Sequence, residues 1–327
     1  MDFKIAQAKR ENIWAKVALM GASGSGKTYS ALRVATGMLE ELKKRGLEKN
    51  GRIAFVNTEG ARGRYYANEF DYDIADMEPP YNPEKYVEYI NEIVKANYPI
   101  LIIDSTSHEW EGKGGALELQ QLAGGRYQDW GKITPRHDRF ILSIADSPIH
   151  IIATMRGKDQ YTLEQDGNKS VVKKLGVGAK QRDGFEYEFT ASFLIDQLNN
   201  LAITQKDNTH LFETRGYIKL SESDGKEIIE WANSGDAEYV APKRYEEAIA
   251  EIKAEQEVGE EEEALDELRE IIINLAKTIG GQKDKDLMTV MRKYTPTGNP
   301  NKITDLAVAQ KLYDEMALLW ESKQESK

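Results

Sequence analysis

The 327-residue chain has no cysteine, which excludes disulfides and thiolate metal sites and leans toward a reducing, cytoplasmic setting. Histidine is scarce as well. His108, His137, His150 and His210 are the only four; they lack metal-ligand spacing and read as surface or packing residues. No apolar run approaches the roughly 20 residues of a membrane span. The first twenty residues are interrupted by Lys4, Lys9, Arg10, Glu11 and Lys16, so neither a membrane anchor nor a secretion signal is expected. Positive charge is in deficit: 44 Lys and Arg against 55 Asp and Glu give a formal charge of −11. A nucleic-acid ligand would therefore have to be held by a local patch, not by the global field. What is present is apolar material, 40% of residues, enough to bury an α/β core and leave a smaller second unit.

Strand-like and helix-like segments alternate through the first two thirds, the pattern of a mostly parallel sheet flanked by helices. Short β-rich runs cover 15–20, 52–57, 100–104 and 149–154, and helices are expected over 29–44 and 83–96. Runs 161–164 and 170–174 flank Gln165-Asp166-Gly167-Asn168, a turn signal between two strands. Further strands are expected over 185–195 and 201–205 and near 216–220. Composition shifts after residue 235, which sets the expected division: a core over 1–235, a charged helical and acidic linker over 236–263, and a helical module over 264–327. In the module, Leu265, Leu268, Ile272 and Leu275 keep helical spacing up to Gly280-Gly281. Leu287, Met291 and Tyr294 mark a second helix. Thr304 is placed as the cap of a third, with Leu312, Met316 and Leu319 on one face. From Glu251 onward there are 11 basic and 17 acidic residues, so this module suits packing or docking of a protein partner better than nucleic acid.

Gly21-Ala22-Ser23-Gly24-Ser25-Gly26-Lys27-Thr28 fits the phosphate-binding pattern G-x-x-x-x-G-K-[ST] and lies between an apolar strand and a good helix. Glycines allow the tight turn that aims successive N–H groups at phosphate oxygens beside a helix N-terminus. Lys27 is assigned to the β- and γ-phosphates of ATP and the Thr28 hydroxyl to Mg²⁺. The apolar run 100–104 ends in Asp104, which is placed opposite Thr28 and holds the Mg²⁺ through water. Hydrolysis also needs a group to orient or deprotonate water. Two carboxylates compete for that role, Glu59 after the run 52–57 and Glu109 shortly after Asp104.

These motifs together resemble a RecA-type ATPase core: the phosphate loop, then Ala54-Phe55-Val56-Asn57-Thr58-Glu59, then Ile102-Ile103-Asp104-Ser105. The resemblance implies a RecA-like P-loop fold, makes Glu59 the catalytic base, and assigns Tyr66 to stacking on adenine, with Tyr65 as its competitor. Ile151-Ile152-Ala153-Thr154-Met155-Arg156 is similar to the strand that senses the γ-phosphate, although the family usually has glutamine where Thr154 stands. The closer resemblance is to RecA-like "AAA family" ATPases of phages and prophages associated with single-strand annealing recombination. It rests on residues 104–110, Trp130 with Thr134-Pro135, residues 154–158, and Gln181-Arg182-Asp183-Gly184-Phe185-Glu186-Tyr187-Glu188-Phe189. It implies a homo-oligomeric, DNA-stimulated ATPase. That group often has Lys-Asp-Arg where this chain has Lys206-Asp207-Asn208, which leaves Lys206 as the residue that could reach a neighbouring subunit's phosphates.

The segment 154–182 carries seven basic residues, Arg156, Lys158, Lys169, Lys173, Lys174, Lys180 and Arg182, against three acidic ones. With Tyr161 and several glycines interleaved, this strip is the expected single-stranded-DNA contact. Trp110 and Trp130 read as packing residues and not as base-stacking platforms, because no basic cluster surrounds them.

Overall fold

A computed structural model of the protein describes residue 5 and residues 7–166, 169–235, 239 and 243–325. The chain divides into two compact units, Met1–Ile249 and Ala250–Lys327.

In the first unit, three apolar runs become strands buried along their whole length: β1 (Lys16–Gly21), β2 (Ile53–Asn57) and β4 (Ile100–Asp104), with the short β3 (Asp73–Asp76) between the last two. Continuous burial is what parallel strands covered on both faces require. Lys16 is the exception in chemistry. Its Nζ, inside the sheet, donates to Ser147 O at 2.7 Å, Ser147 Oγ at 2.9 Å and Ile149 O at 2.6 Å, so its three protons are all placed. β5 (His150–Asp166), β6 (Lys169–Ala179), β7 (Ala191–Ile195) and β8 (Ala202–Asp207) complete the sheet. The strand order is β3-β2-β4-β5-β1-β7-β8. All neighbours in it are parallel except β8, which is antiparallel to β7. The first part of β5 pairs with β4 and β1, and from Gly157 it runs on as a long antiparallel arm with β6. Of the turn expected over Gln165-Asp166-Gly167-Asn168, Gln165 and Asp166 belong to β5 and pair with Ser170 and Lys169, and residues 167 and 168 lie outside the described residues.

Helices α1 (Lys27–Arg45), α2 (Pro83–Lys95), α3 (Ser107–Glu111), α4 (Ala116–Leu122), α5 (Trp130–Ala145) and α6 (Glu222–Ala232) cover this sheet. α1 and α6 cross with their backbones in contact: a Cβ on Gly37 would meet Glu222 O at 1.8 Å, and one on Gly225 would meet Val34 O at 2.1 Å. Only glycine fits at either position. Behind the crossing, Leu19, Leu32, Phe55, Phe193 and Ile229 belong to one buried cluster. The fold is therefore mixed α/β with a mostly parallel central sheet, as a P-loop ATPase core requires.

Two expectations change. Residues 185–195 do not form one strand. Gly184 takes φ 92°, a 3-10 turn follows over Phe185–Glu188, and only then does β7 begin, with Phe185 and Phe189 both buried edge-to-face. The strand near 216–220 reduces to a single bridge between Ala202 and Ile218.

α7 (Lys243–Ile279) crosses the unit boundary and includes the acidic run 259–263, in keeping with the strong helix propensity of Glu and Ala. In the second unit α8 (Lys285–Tyr294) and α9 (Leu306–Glu325) share a core with α7 through Leu265, Ile272, Leu287, Met291, Leu312 and Met316. The cap of α9 is Asp305 and not Thr304: Asp305 Oδ1 accepts the Val308 N–H at 3.0 Å.

Candidate nucleotide site

The site forms where β1 runs into α1. After Gly21 the chain turns, with Ser25 N–H donating to Ala22 O at 3.2 Å, and α1 starts at Lys27. Gly24 and Gly26 hold φ of 81° and 86°, left-handed backbone that glycine adopts at least cost. The loop therefore sets its N–H groups at a helix N-terminus, where anions are favoured. Lys27 is buried, and its Nζ donates to Gly21 O at 3.0 Å and Ala22 O at 2.8 Å. Burial lowers its ammonium pKa, while Asp104 and Glu59 oppose that shift. Ser25 is fully buried and its Oγ has no partner among the described residues. Ser23, Gly24, Gly26, Lys27 and Thr28 line a cleft of about 480 Å³ whose other walls include Glu59, Tyr66, Asp104 and Arg156.

Both oxygens of Asp104 are engaged. Thr28 Oγ1 donates to Oδ2 at 2.5 Å and Thr154 Oγ1 to Oδ1 at 2.5 Å. Burial raises the Asp104 carboxyl pKa, and the two hydroxyl donors pull it back. A carboxylate facing a threonine hydroxyl beside the phosphate loop is an all-oxygen set that suits a hard cation such as Mg²⁺. Among the described residues no group of three or more His, Cys, Asp or Glu side chains offers another metal cage.

Glu59 is positioned by the end of β2. Asn57 Oδ1 accepts the Glu59 N–H at 3.1 Å, and Asn57 Nδ2 donates to Gly60 O at 2.6 Å and Asp76 Oδ1 at 2.7 Å, so the turn that carries Glu59 is braced from β3. Thr58 ties the same turn to β4: its N–H donates to Asp104 O at 2.8 Å and its Oγ1 accepts the Ser105 N–H at 2.8 Å. His108 Nδ1 lies 2.7 Å from Thr58 Oγ1. The Glu59 carboxylate is gripped by Arg156, whose Nη2 donates to Oε1 at 2.8 Å and Oε2 at 3.1 Å. Glu109 lies elsewhere. It is completely buried, accepts from Gln181 Nε2 at 3.0 Å, pairs with His137 Nδ1 at 2.9 Å, and does not line the cleft.

A protein-family model described as an AAA domain matches residues 14–226, well over half of the chain. The chain belongs to this AAA-domain family. No curated protein matches it. As an AAA domain it is a nucleotide-binding P-loop ATPase, and the match runs from just before β1 into α6, so the loop, Asp104, Glu59 and the β5–β6 arm all fall inside it.

The other expected residues of the AAA domain are placed as follows. Tyr66 is half-buried on the cleft wall, edge-on to Tyr29 with ring centroids 5.1 Å apart; Tyr65 lines the same cleft and is 68% exposed. Arg156, expected on the DNA strip, sits in the nucleotide cleft because β-strand alternation puts it on the same face as Thr154. It also stands 3.8 Å from Glu111, which Lys180 approaches to 3.4 Å. Lys158 lies 3.4 Å from Asp183, and Arg182 donates to Asp138 at 2.7 Å. Lys169, Lys173 and Lys174 fall on β6, and their side chains lie outside the described residues. Lys206 Nζ donates to Phe189 O at 2.8 Å and to Tyr187 O, within its own chain. Among the described residues no helix is long and apolar enough to cross a membrane. Thr58 and His108 lie within stretches that carry the resemblance but have no role assigned there, and Glu111 lies outside every motif. Arg156 carries two usable signals, its spacing of two from Thr154 on a buried strand and its place in the run 151–156 that resembles a γ-phosphate-sensing strand.

Proposed function

We propose that this AAA domain is an oligomeric ATPase whose turnover answers to single-stranded DNA, of the kind used in phage-type recombination or strand annealing. The observation that carries this reading is Arg156. Its guanidinium holds Glu59 in the nucleotide cleft, while its carbonyl accepts the Lys180 N–H at 2.6 Å in the stem of the β5–β6 arm. The basic strip and the proposed base are thus two contacts of one residue.

In this mechanism Lys27 leaves the Gly21 and Ala22 carbonyls for the β- and γ-phosphates of ATP, and Tyr66 stacks on the adenine. Thr28 and Asp104 would hold Mg²⁺, which would supply positive charge to the phosphate oxygens. Arg156 moves from Glu59 to the γ-phosphate, which frees the Glu59 carboxylate to take a proton from the attacking water. Lys169, Lys173 and Lys174 neutralise DNA phosphates, and ordering of the arm on a strand biases Arg156 toward the nucleotide. Lys206 would reach a neighbouring subunit's phosphates only after giving up its two carbonyls. The C-terminal helical unit is left to a protein partner.

ATPase activity measured with and without single-stranded DNA, alongside particle size, tests the reading. Turnover should rise with DNA, and Lys173→Ala with Lys174→Ala should lower both that rise and its salt dependence. A rate unchanged across DNA concentrations at low salt would remove DNA as the ligand and leave a protein client in its place.

A further inference from the structure

A second cleft opens in the first unit, about 760 Å³ in volume, with walls that include Trp110, Tyr127, Trp130, His137, Lys158 and Arg182. Three features set it apart from ordinary packing. Trp110 and Trp130 are stacked, with centroids 5.4 Å apart and planes 15° from parallel, yet both are only half-buried. Tyr127, 93% exposed, extends the same aromatic wall toward solvent. The third feature is His137. Its ring is 1% exposed and lies 5.1 Å from Trp110, Nδ1 is taken by the Glu109 carboxylate, and Nε2 has no hydrogen-bond partner among the described residues. A buried polar nitrogen is normally paired. His137 lines this aromatic slot, and in the tautomer with the proton on Nδ1 facing Glu109 its buried Nε2 is an acceptor left without a donor.

We infer that this cleft takes one unpaired base of a DNA single strand, stacked on the Trp110–Trp130 pair with an N–H on its edge given to His137 Nε2. The inference rests on the DNA reading above and deepens it. Each component matches what a base offers: a π-face for the tryptophans, an N–H donor on the Watson–Crick edge, and phosphates on either side. Lys158 and Arg182 stand at the rim for those phosphates. Their partners Asp183 and Asp138 are at least half exposed, and ion pairs of that kind are weak enough for a phosphate to displace. The β5–β6 arm that leaves this rim carries Lys169, Lys173 and Lys174 in its sequence. An aromatic side chain of a protein would use the stack and leave the cationic rim unmatched.

The site also reaches the nucleotide cleft. Gln181 Nε2 donates to Glu109 Oε2 at 3.0 Å and to Thr106 O at 3.1 Å, and Thr106 Oγ1 donates to Thr154 O at 3.0 Å. Thr154 in turn holds Asp104. A base that pulls on His137 therefore acts on a continuous buried network ending at the carboxylate of the proposed metal site.

The test compares an oligothymidylate with an abasic oligonucleotide of equal length, using the full chain with ATP and Mg²⁺ and reading both tryptophan fluorescence and binding. Wild type should bind the base-bearing strand about tenfold more tightly than the abasic one and show quenching only with the former. Trp130→Ala should bring oligothymidylate binding down to the abasic level, and Trp130→Phe should keep most of it. Equal binding of both strands by wild type would overturn the cleft assignment while leaving the DNA reading intact, whether or not Trp130→Ala folds. Absence of binding to either strand would overturn both. Quenching by a tryptophan-bearing peptide and not by the oligonucleotide would give the cleft to a protein and also overturn the assignment.

Discussion

The cleft over Lys27 and the cleft between Trp110 and Trp130 share strand β5, which sends Arg156 into one and Lys158 into the other. They are held in shape by different forces. The first is set by backbone: two left-handed glycines, a helix start, an Asp104 carboxylate held by two hydroxyl donors at 2.5 Å, and a Glu59 turn whose N–H is fixed on Asn57 at 3.1 Å. The second is set by packed rings around one buried Glu109–His137–Gln181 network, whose side chains come from separate helices and a loop. A backbone-built site tolerates few substitutions and presents fixed dipoles before the ligand arrives, which suits a charge-developing reaction. A ring-built site accepts any flat partner and discriminates weakly, which suits sequence-tolerant binding.

The largest expected effect breaks the first cleft alone. Glu59→Gln should keep nucleotide binding and lower turnover by about 10²–10⁴-fold, the usual share of a positioned general base. Phosphate release and nucleotide binding measured on the same preparation decide it. Turnover within a few-fold of wild type would take the base role from Glu59, and the buried, cleft-distant Glu109 offers no replacement.

Arg156→Ala sharpens the comparison, because among the described residues its side chain ties Glu59 to the arm. If its guanidinium reaches the γ-phosphate, turnover should fall by about tenfold to a hundredfold, the range for a lost charge-assisted hydrogen bond. Preference for ATP over ADP should shrink by a comparable factor. A variant that loses only the DNA-dependent part of turnover, with that preference intact, would place Arg156 on the strand side of the comparison.

The difference between the clefts also explains what could be read in advance. Gly21–Thr28, Asp104 and Glu59 are short stretches whose chemistry lies in consecutive residues, and the buried strands before them are visible as apolar runs. Trp110, His137 and Gln181 come from α3, α5 and the segment after β6, so only the fold brings them together. His137, one of four histidines that read as surface or packing residues, is buried, and its unpaired Nε2 depends on Glu109, 28 residues away. Arg156 was counted with the lysines of 154–182 because charge along a sequence does not say which face of a strand it occupies. The strand expected at 185–195 failed for a similar reason, since β-rich composition does not show that Gly184 and two buried phenylalanines turn the chain first.

The smallest expected effect falls on both clefts together, through the first residue of β5. His150 Nδ1 accepts the Ala15 N–H at 3.0 Å, a bond that requires a neutral acceptor nitrogen, and the ring is buried near the Lys16 ammonium. Burial first, then Lys16 and Lys49, lower its pKa to about 3. An unfolded histidine titrates near 6.5, so the folded value is depressed. The stability tied to this group is fully present above pH ~6.5 and is lost as pH falls from there toward about 3, by at most about 1.4 kcal/mol per pH unit. Urea unfolding should show a lower midpoint at pH ~5 than at pH ~7. His150→Asn, whose Oδ1 can stand near the Nδ1 position and does not titrate, should lose less over that interval. Equal losses in wild type and variant would assign the acid sensitivity to other groups. Because β5 feeds both sites, the acid-weakened protein should lose ATP turnover and tryptophan quenching in parallel; if the ring-built cleft fails first, the two are held by separable parts of the strand.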